Sequence, residues 1–236
     1  MNTIFWAADS TVKQNAILTY PQTGIGQVFH LYAKPTIRIE NHAENGRSTK
    51  SFLDEGRLAM IYDRIEEGDF LFIQFGHNDE KTGDPARYSD PDAEYMENLG
   101  RLINAARNKK AYPVLITPLT RRNYRDDNQE YSHEKYAIAM KKTAKLLDVP
   151  LVDLCAKSEA LVDLIGEKSK AYYMHIPAGM YSRYPDGLTD NTHLRYEGAV
   201  VFAGLIAQEL FALGGIYAEL LVDGYEALIK ESSNEK

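Results

Sequence analysis

Short apolar runs alternate along this chain with longer stretches in which apolar residues recur every three or four positions. Five runs are rich in Ile, Val, Phe and Leu: TIFWAA (3–8), TIRIEN (36–41), DFLFIQFG (69–76), YPVLITP (112–118) and VPLVDL (149–154). Gly, Pro or polar residues bound each one, the pattern of strands covered on both faces. Between them, SFLDEGRLAMIYDRIEEG sets Phe52, Leu53, Leu58, Ile61 and Ile65 near one face of a helix. DAEYMENLGRLINAARNKK does the same with Tyr95, Met96, Leu99, Leu102 and Ile103, and its Arg107, Lys109 and Lys110 suit the negative end of a helix dipole. HEKYAIAMKKTAKLLD and YEGAVVFAGLIAQELFALGG read as two more helices, the second closed by Gly-Gly. IYAELLVDGYEALIKE predicts an amphipathic helix over about 216–230, ahead of a frayed tail at 231–236.

Alternating strands and helices imply right-handed βαβ units, hence a parallel sheet with helices on both faces. No repeat, flexible linker or low-complexity tract interrupts the pattern, so residues 1–236 are expected to form one domain. The stretches 79–91 and roughly 170–192 are long for connections and are expected to be irregular and to shape a binding site.

Composition narrows the function. At 236 residues and 44% hydrophobic, the chain can bury a substantial core, and its net charge of −7 argues against nucleic acid as a partner. The single cysteine, Cys155, excludes an internal disulfide and reads as a small buried hydrophobe. MNTIFWAADS lacks a basic n-region, and no run approaches the ~18 apolar residues of a membrane helix. The expectation is a soluble, cytoplasmic protein without a membrane partner.

Ligands of open parallel sheets bind beyond the carboxyl ends of the strands. Those ends here are ADST, NHAENGRSTKSF, FGHNDEKTG and TPLTRRNYR, and DGLTDNTHLRYEGA precedes the last long helix. Singly, their residues have ordinary roles. Ser10 or Asp9 would cap a helix, Gly46 would form a turn and Asn78 an Asx turn, and Asp190 would face a helix N-terminus near an incidental His193. Jointly they supply what a serine nucleophile needs. His193 can take the Ser10 proton, and Asp190 can orient the imidazole. The backbone N–H groups of Ser10 and Gly46 and the Asn78 amide can serve as an oxyanion hole.

In these positions and in this order, the chain resembles the SGNH (GDSL-type) esterase superfamily, named for its Ser, Gly, Asn and His. It is most similar to the rhamnogalacturonan acetylesterase branch, in NHAENGRSTKSF, GHND, TPLTRR and DNTHLRYEGA, so that the matches run from residue 8 to about 199. The resemblance implies a flavodoxin-like three-layer α/β/α sandwich with a five-stranded parallel sheet. It also implies deacetylation of carbohydrate without metal or cofactor, through an acyl-serine at Ser10 with Asp190 and His193. One position departs from the family pattern: Ala8 stands where the motif has glycine.

Around that set, Arg47, His77 and Arg121 are candidate substrate contacts, and Lys50, Arg122 and Arg125 share the rim. Guanidinium groups there suit uronate carboxylates. Tyr172, Tyr173, Tyr181 and Tyr184 are candidate sugar platforms or packing residues. Metal chemistry through His77 with Asp79, or through His193 with Asp190, is disfavoured by the lack of an H-x-x-x-H or Cys/His set. GIGQVF has too few glycines for a dinucleotide loop, and no G-x-S-x-G elbow is present. The expected partner is an acetylated oligosaccharide, pectic first and xylan second. The rivals are an SGNH lipase or thioesterase and a silent carbohydrate-binding protein. The C-terminal helix offers a contact for a homodimer.

Overall fold

The computed structural model describes residues 2–122 and 133–224. Strand β1 (Thr3–Ala8) leads through a long loop to the short helix α1 (Ile25–Val28), then to β2 (Arg38–Asn41). Helices α2 (Thr49–Asp54) and α3 (Arg57–Tyr62) precede β3 (Phe70–Gln74). Helix α4 (Glu94–Asn108), β4 (Tyr112–Ile116), α5 (Glu134–Leu147), β5 (Leu151–Val152) and α6 (Leu154–Ile165) continue the alternation. Strands β6 (Tyr173–Ile176) and β7 (Leu188–Leu194) then form an antiparallel pair, followed by α7 (Tyr196–Leu213) and the one-turn α8 (Gly215–Ala218).

The first five strands make one parallel sheet in the order β2-β1-β3-β4-β5. Chain order reverses at β1, so the switch point lies between the carboxyl ends of β1 and β3, where the ligand site of such a sheet belongs. Because successive strand residues face opposite ways, the apolar runs fill two cores. Ile4, Trp6, Phe72 and Ile116 pack with Val162 of α6 and Phe202 and Ile206 of α7. Phe5, Leu71, Ile73 and Leu115 pack on the other face with Phe52, Ile61, Leu99, Ile103 and Met140, drawn from α2 to α5. Each such side chain contributes about 1.5–3 kcal/mol on burial, against about 0–1 for a surface ion pair. The two cores, not the surface charges, therefore hold the sheet in place.

Four expectations are revised. The helix expected from Ser51 onward breaks in two at Gly56, whose φ of +71° cannot continue a right-handed helix. A helix not foreseen, α6, follows β5, started by Asp153, whose Oδ1 accepts from Ala156 N. The stretch 170–192 is not irregular throughout, since it contains β6 and most of β7. The helix expected over 216–230 is a single turn ending at Ala218, with Leu221 bridged to Ala33; residues 225–236 and Arg125 lie outside the described residues. Helix α7 is by length and composition long enough to cross a membrane, but more than half of it is buried here, as part of the core.

Candidate active site

Asp9 does not cap a helix, because none follows for many residues. Its Oδ1 instead accepts from Thr11 N at 2.9 Å and Thr11 Oγ1 at 2.8 Å, an Asx turn that carries the chain past Ser10. Ala8 is the last residue of β1, paired with Gln74. The left-handed non-glycine residues among those described are Lys110, His133 and Asp148, so alanine at this position carries no backbone strain. Ser10 thus sits in a turn at the strand's carboxyl end, 8% exposed.

The partner strand comes from far along the sequence. In the β6–β7 pair, Tyr173 faces Leu194 and Met174 faces Asp190, so Asn191, Thr192 and His193 form a bulge. A bulge of this kind re-aims a side chain. His193 Nε2 lies 3.0 Å from Ser10 Oγ, and its Nδ1 lies 2.7 Å from Asp190 Oδ2. The other Asp190 oxygen, Oδ1, accepts from Thr192 N at 2.7 Å and His193 N at 3.0 Å. Burial pushes the Asp190 carboxyl up, but the His193 ring and the two N–H donors outweigh it and hold the group at about 2. Thr23 N donates to Leu194 O at 2.9 Å, which ties the loop after Ser10 to the end of β7.

Gly46 and Asn78 are drawn to the same rim. Glu44 N donates to Ala8 O at 3.2 Å, and Asn78 Nδ2 donates to Arg47 O at 3.1 Å. Gly46 between them has φ +74°, where glycine is favoured. Arg87 Nη1 lies 3.5 Å from Asn78 Oδ1. The amide oxygen thus faces Arg87, and the Asn78 NH2 group has a second N–H beyond the one bonded to Arg47. Arg87 was not foreseen from the sequence, and only its place in the long 79–91 stretch hinted at a role.

The remaining candidates lie as follows. Arg47 pairs with Glu55 (Nη2 to Oε1, 2.8 Å) and donates to Asn45 O at 2.7 Å, partly exposed. His77 is 3% exposed, so its ring is packed inside rather than presented to substrate; Nδ1 lies 3.2 Å from Asp9 Oδ2, and the ring centroid lies 4.1 Å from that of His133, the two planes tilted by 52°. The Arg121 guanidinium contacts Glu80 and Thr192. Arg122 is buried on Ser169 and Glu167, and Lys50 pairs with Glu94. Tyr173 is core, its hydroxyl donating to Thr120 O at 2.8 Å, and Tyr172 packs on Phe202. Tyr181 stacks edge-on with Tyr20. Burial pushes the Cys155 thiol well up, and its Sγ lies 3.3 Å from Glu159 Oε1.

A serine–histidine–aspartate line at the switch point of a 2-1-3-4-5 sheet is the arrangement that acyl transfer through a serine requires. The profile of the GDSL-like lipase/acylhydrolase family matches residues 11–200, and the chain belongs to that family. It is 40% identical over 214 residues to rhamnogalacturonan acetylesterase RhgT of Bacillus subtilis (strain 168), covering 89% of this chain and 90% of RhgT. The crystal structure of B. subtilis YxiM superposes with a TM-score of 0.76 at 29% identity; the match covers 90% of this chain and spans 57% of that one. The fold is also that of Axe2, an acetylxylan esterase from Geobacillus stearothermophilus, at TM-score 0.65 and 15% identity, over 88% of this chain and 93% of Axe2.

Proposed function

We propose that this protein is a serine esterase that removes O-acetyl groups from carbohydrate, with acetylated pectic oligosaccharides of the rhamnogalacturonan type as its substrates. The observation that carries the chemistry is the Ser10–His193–Asp190 line, with contacts of 3.0 and 2.7 Å. The substrate class rests on the 40% identity to RhgT across nine-tenths of both chains.

In this reading Ser10 Oγ attacks the acetyl carbonyl while its proton passes to His193 Nε2. The Asp190 carboxylate stabilises the imidazolium and keeps Nδ1–H aimed at itself. Negative charge on the former carbonyl oxygen falls between the N–H groups of Ser10 and Gly46 and the free N–H of Asn78. Collapse gives the proton to the sugar oxygen and leaves an acetyl-serine. Water, deprotonated by the same histidine, then releases acetate and restores Ser10.

The test is acetate release by the wild type from acetylated rhamnogalacturonan oligosaccharides, acetylated xylo-oligosaccharides and a series of 4-nitrophenyl esters of rising chain length. Fastest turnover on the pectic fragments, with rates falling as the acyl chain lengthens, is expected. Preference for xylan fragments would reassign the sugar, and preference for long acyl chains would reassign the protein to lipid or thioester chemistry.

A further inference from the structure

An arginine that takes no part in the scheme above stands between the two arms of the site. Arg121, in the loop after β4, donates through Nη1 to Thr192 Oγ1 and through Nη2 to Glu80 Oε1 at 3.0 Å. Nη2 also lies 3.5 Å from the His77 carbonyl oxygen. Thr192 is in the bulge, between Asp190 and His193, and Glu80 follows Asn78 by two residues. The other Glu80 oxygen, Oε2, accepts from His133 Nδ1 at 2.7 Å, and the His133 ring is buried against His77. The same loop holds the bulge by its backbone, with Arg122 N donating to Asn191 O at 2.8 Å.

We propose that Arg121 is a positioning residue for ester hydrolysis, joining the bulge that carries His193 to the loop that carries Asn78. It rests on the reading that Ser10 and His193 perform the chemistry. A bulge has no continuous ladder to fix it, so the height of His193 above Ser10 depends on side contacts. Arg121 supplies one that runs to the oxyanion arm, so that proton transfer and charge stabilisation keep a common register. A planar guanidinium can reach two partners in two directions at once, which an ammonium cannot do in the same geometry. Glu80, fixed from behind by His133, keeps the fork from turning outward.

The experiment measures kcat and KM for Arg121→Met, Arg121→Lys, Thr192→Val and the Arg121→Met/Thr192→Val double variant. The substrates are 4-nitrophenyl acetate and an acetylated uronate-containing oligosaccharide. For Arg121→Met, kcat is expected to fall on the order of ten- to a hundred-fold on both, as for a small misplacement of reacting groups, with KM within about twofold. Arg121→Lys should be intermediate, and the double variant no worse than the poorer single one, since the two share one contact. Should Arg121→Met fail to fold, Thr192→Val, which exchanges the hydroxyl for a methyl group of similar size, carries the same prediction. Unchanged kcat on 4-nitrophenyl acetate with a raised KM for the uronate substrate would overturn the proposal and make Arg121 a substrate contact. Additive losses would overturn it too. Ser10→Ala run in parallel separates the two readings: full activity there would refute the catalytic assignment itself.

Discussion

Asp190→Asn replaces one carboxylate oxygen by an NH2 group, and the structure determines which one. Oδ1 accepts two backbone N–H groups, from Thr192 and His193, so the amide oxygen must occupy that place. The NH2 group then faces His193 Nδ1 at about the 2.7 Å now spanned by Oδ2. Two donors cannot face each other, so the imidazole shifts its proton to Nε2, the nitrogen 3.0 Å from Ser10 Oγ. A ring with N–H aimed at the serine has no lone pair for its proton. The electrostatic part is the loss of the negative charge that the His193 ring and the two N–H donors keep ionised against burial. The tautomer adds to it; the same exchange in serine proteases costs about 10⁴ in kcat. The expected loss here is on the order of 10³–10⁴ in kcat, about 4–5.5 kcal/mol, with KM little changed. Steady-state kinetics with 4-nitrophenyl acetate measure it, beside Asp190→Ala, which leaves the ring free to adopt either tautomer and should lose less. An Asn variant within about tenfold of wild type, or better than the Ala variant, would refute the reasoning.

Three more outcomes follow from the geometry. Asn78→Ala should lower kcat by on the order of 10²–10³ with KM nearly constant, as for loss of one oxyanion donor; a change confined to KM would place Asn78 outside the hole. Asp79, whose Oδ2 is buried without a partner while Oδ1 accepts from Thr49, is pushed up by burial to about 7. Its folded state holds a proton that the unfolded chain releases above the usual carboxylate range, so this stabilisation is present at low pH and lost as pH rises through about 7, by up to about 4 kcal/mol. Melting temperatures from about pH 5 to about pH 9 should therefore show Asp79→Asn gaining on wild type, and a constant difference would contradict this. A Cβ at Gly198 would meet Tyr172 O at 2.1 Å, backbone that cannot yield, so Gly198→Ala should cost about 1–3 kcal/mol or more in denaturant unfolding; an unchanged midpoint would refute it.

The sheet was legible in the sequence because strands buried on both faces are continuous apolar runs, and all five recur within a residue or two. Helix α6 escaped notice because its apolar positions follow at once on those of β5; Asp153, which starts it, was the available signal. The β6–β7 pair gave no warning, since TDNTH has no apolar alternation and its bulge is met by a residue distant in sequence, Arg122, whose N–H donates to Asn191 O. Ser10, Gly46, Asn78 and the Asp190–His193 pair could be gathered because each follows or adjoins a strand end. What fixes them could not. Arg87 on Asn78, Arg121 on Thr192 and His133 on Glu80 are meetings of side chains distant in sequence or held by irregular loops. His77 looked like a rim residue by position, but its ring turns inward beside Asp9.

The central claim, that Ser10 is the nucleophile of a carbohydrate deacetylase, is tested most directly by acetate release from acetylated rhamnogalacturonan oligosaccharides. Wild type and Ser10→Ala are compared at equal folded concentration. Steady release by the wild type and none above background in the variant is the predicted result. Equal release by both proteins, or none by either, would contradict the claim.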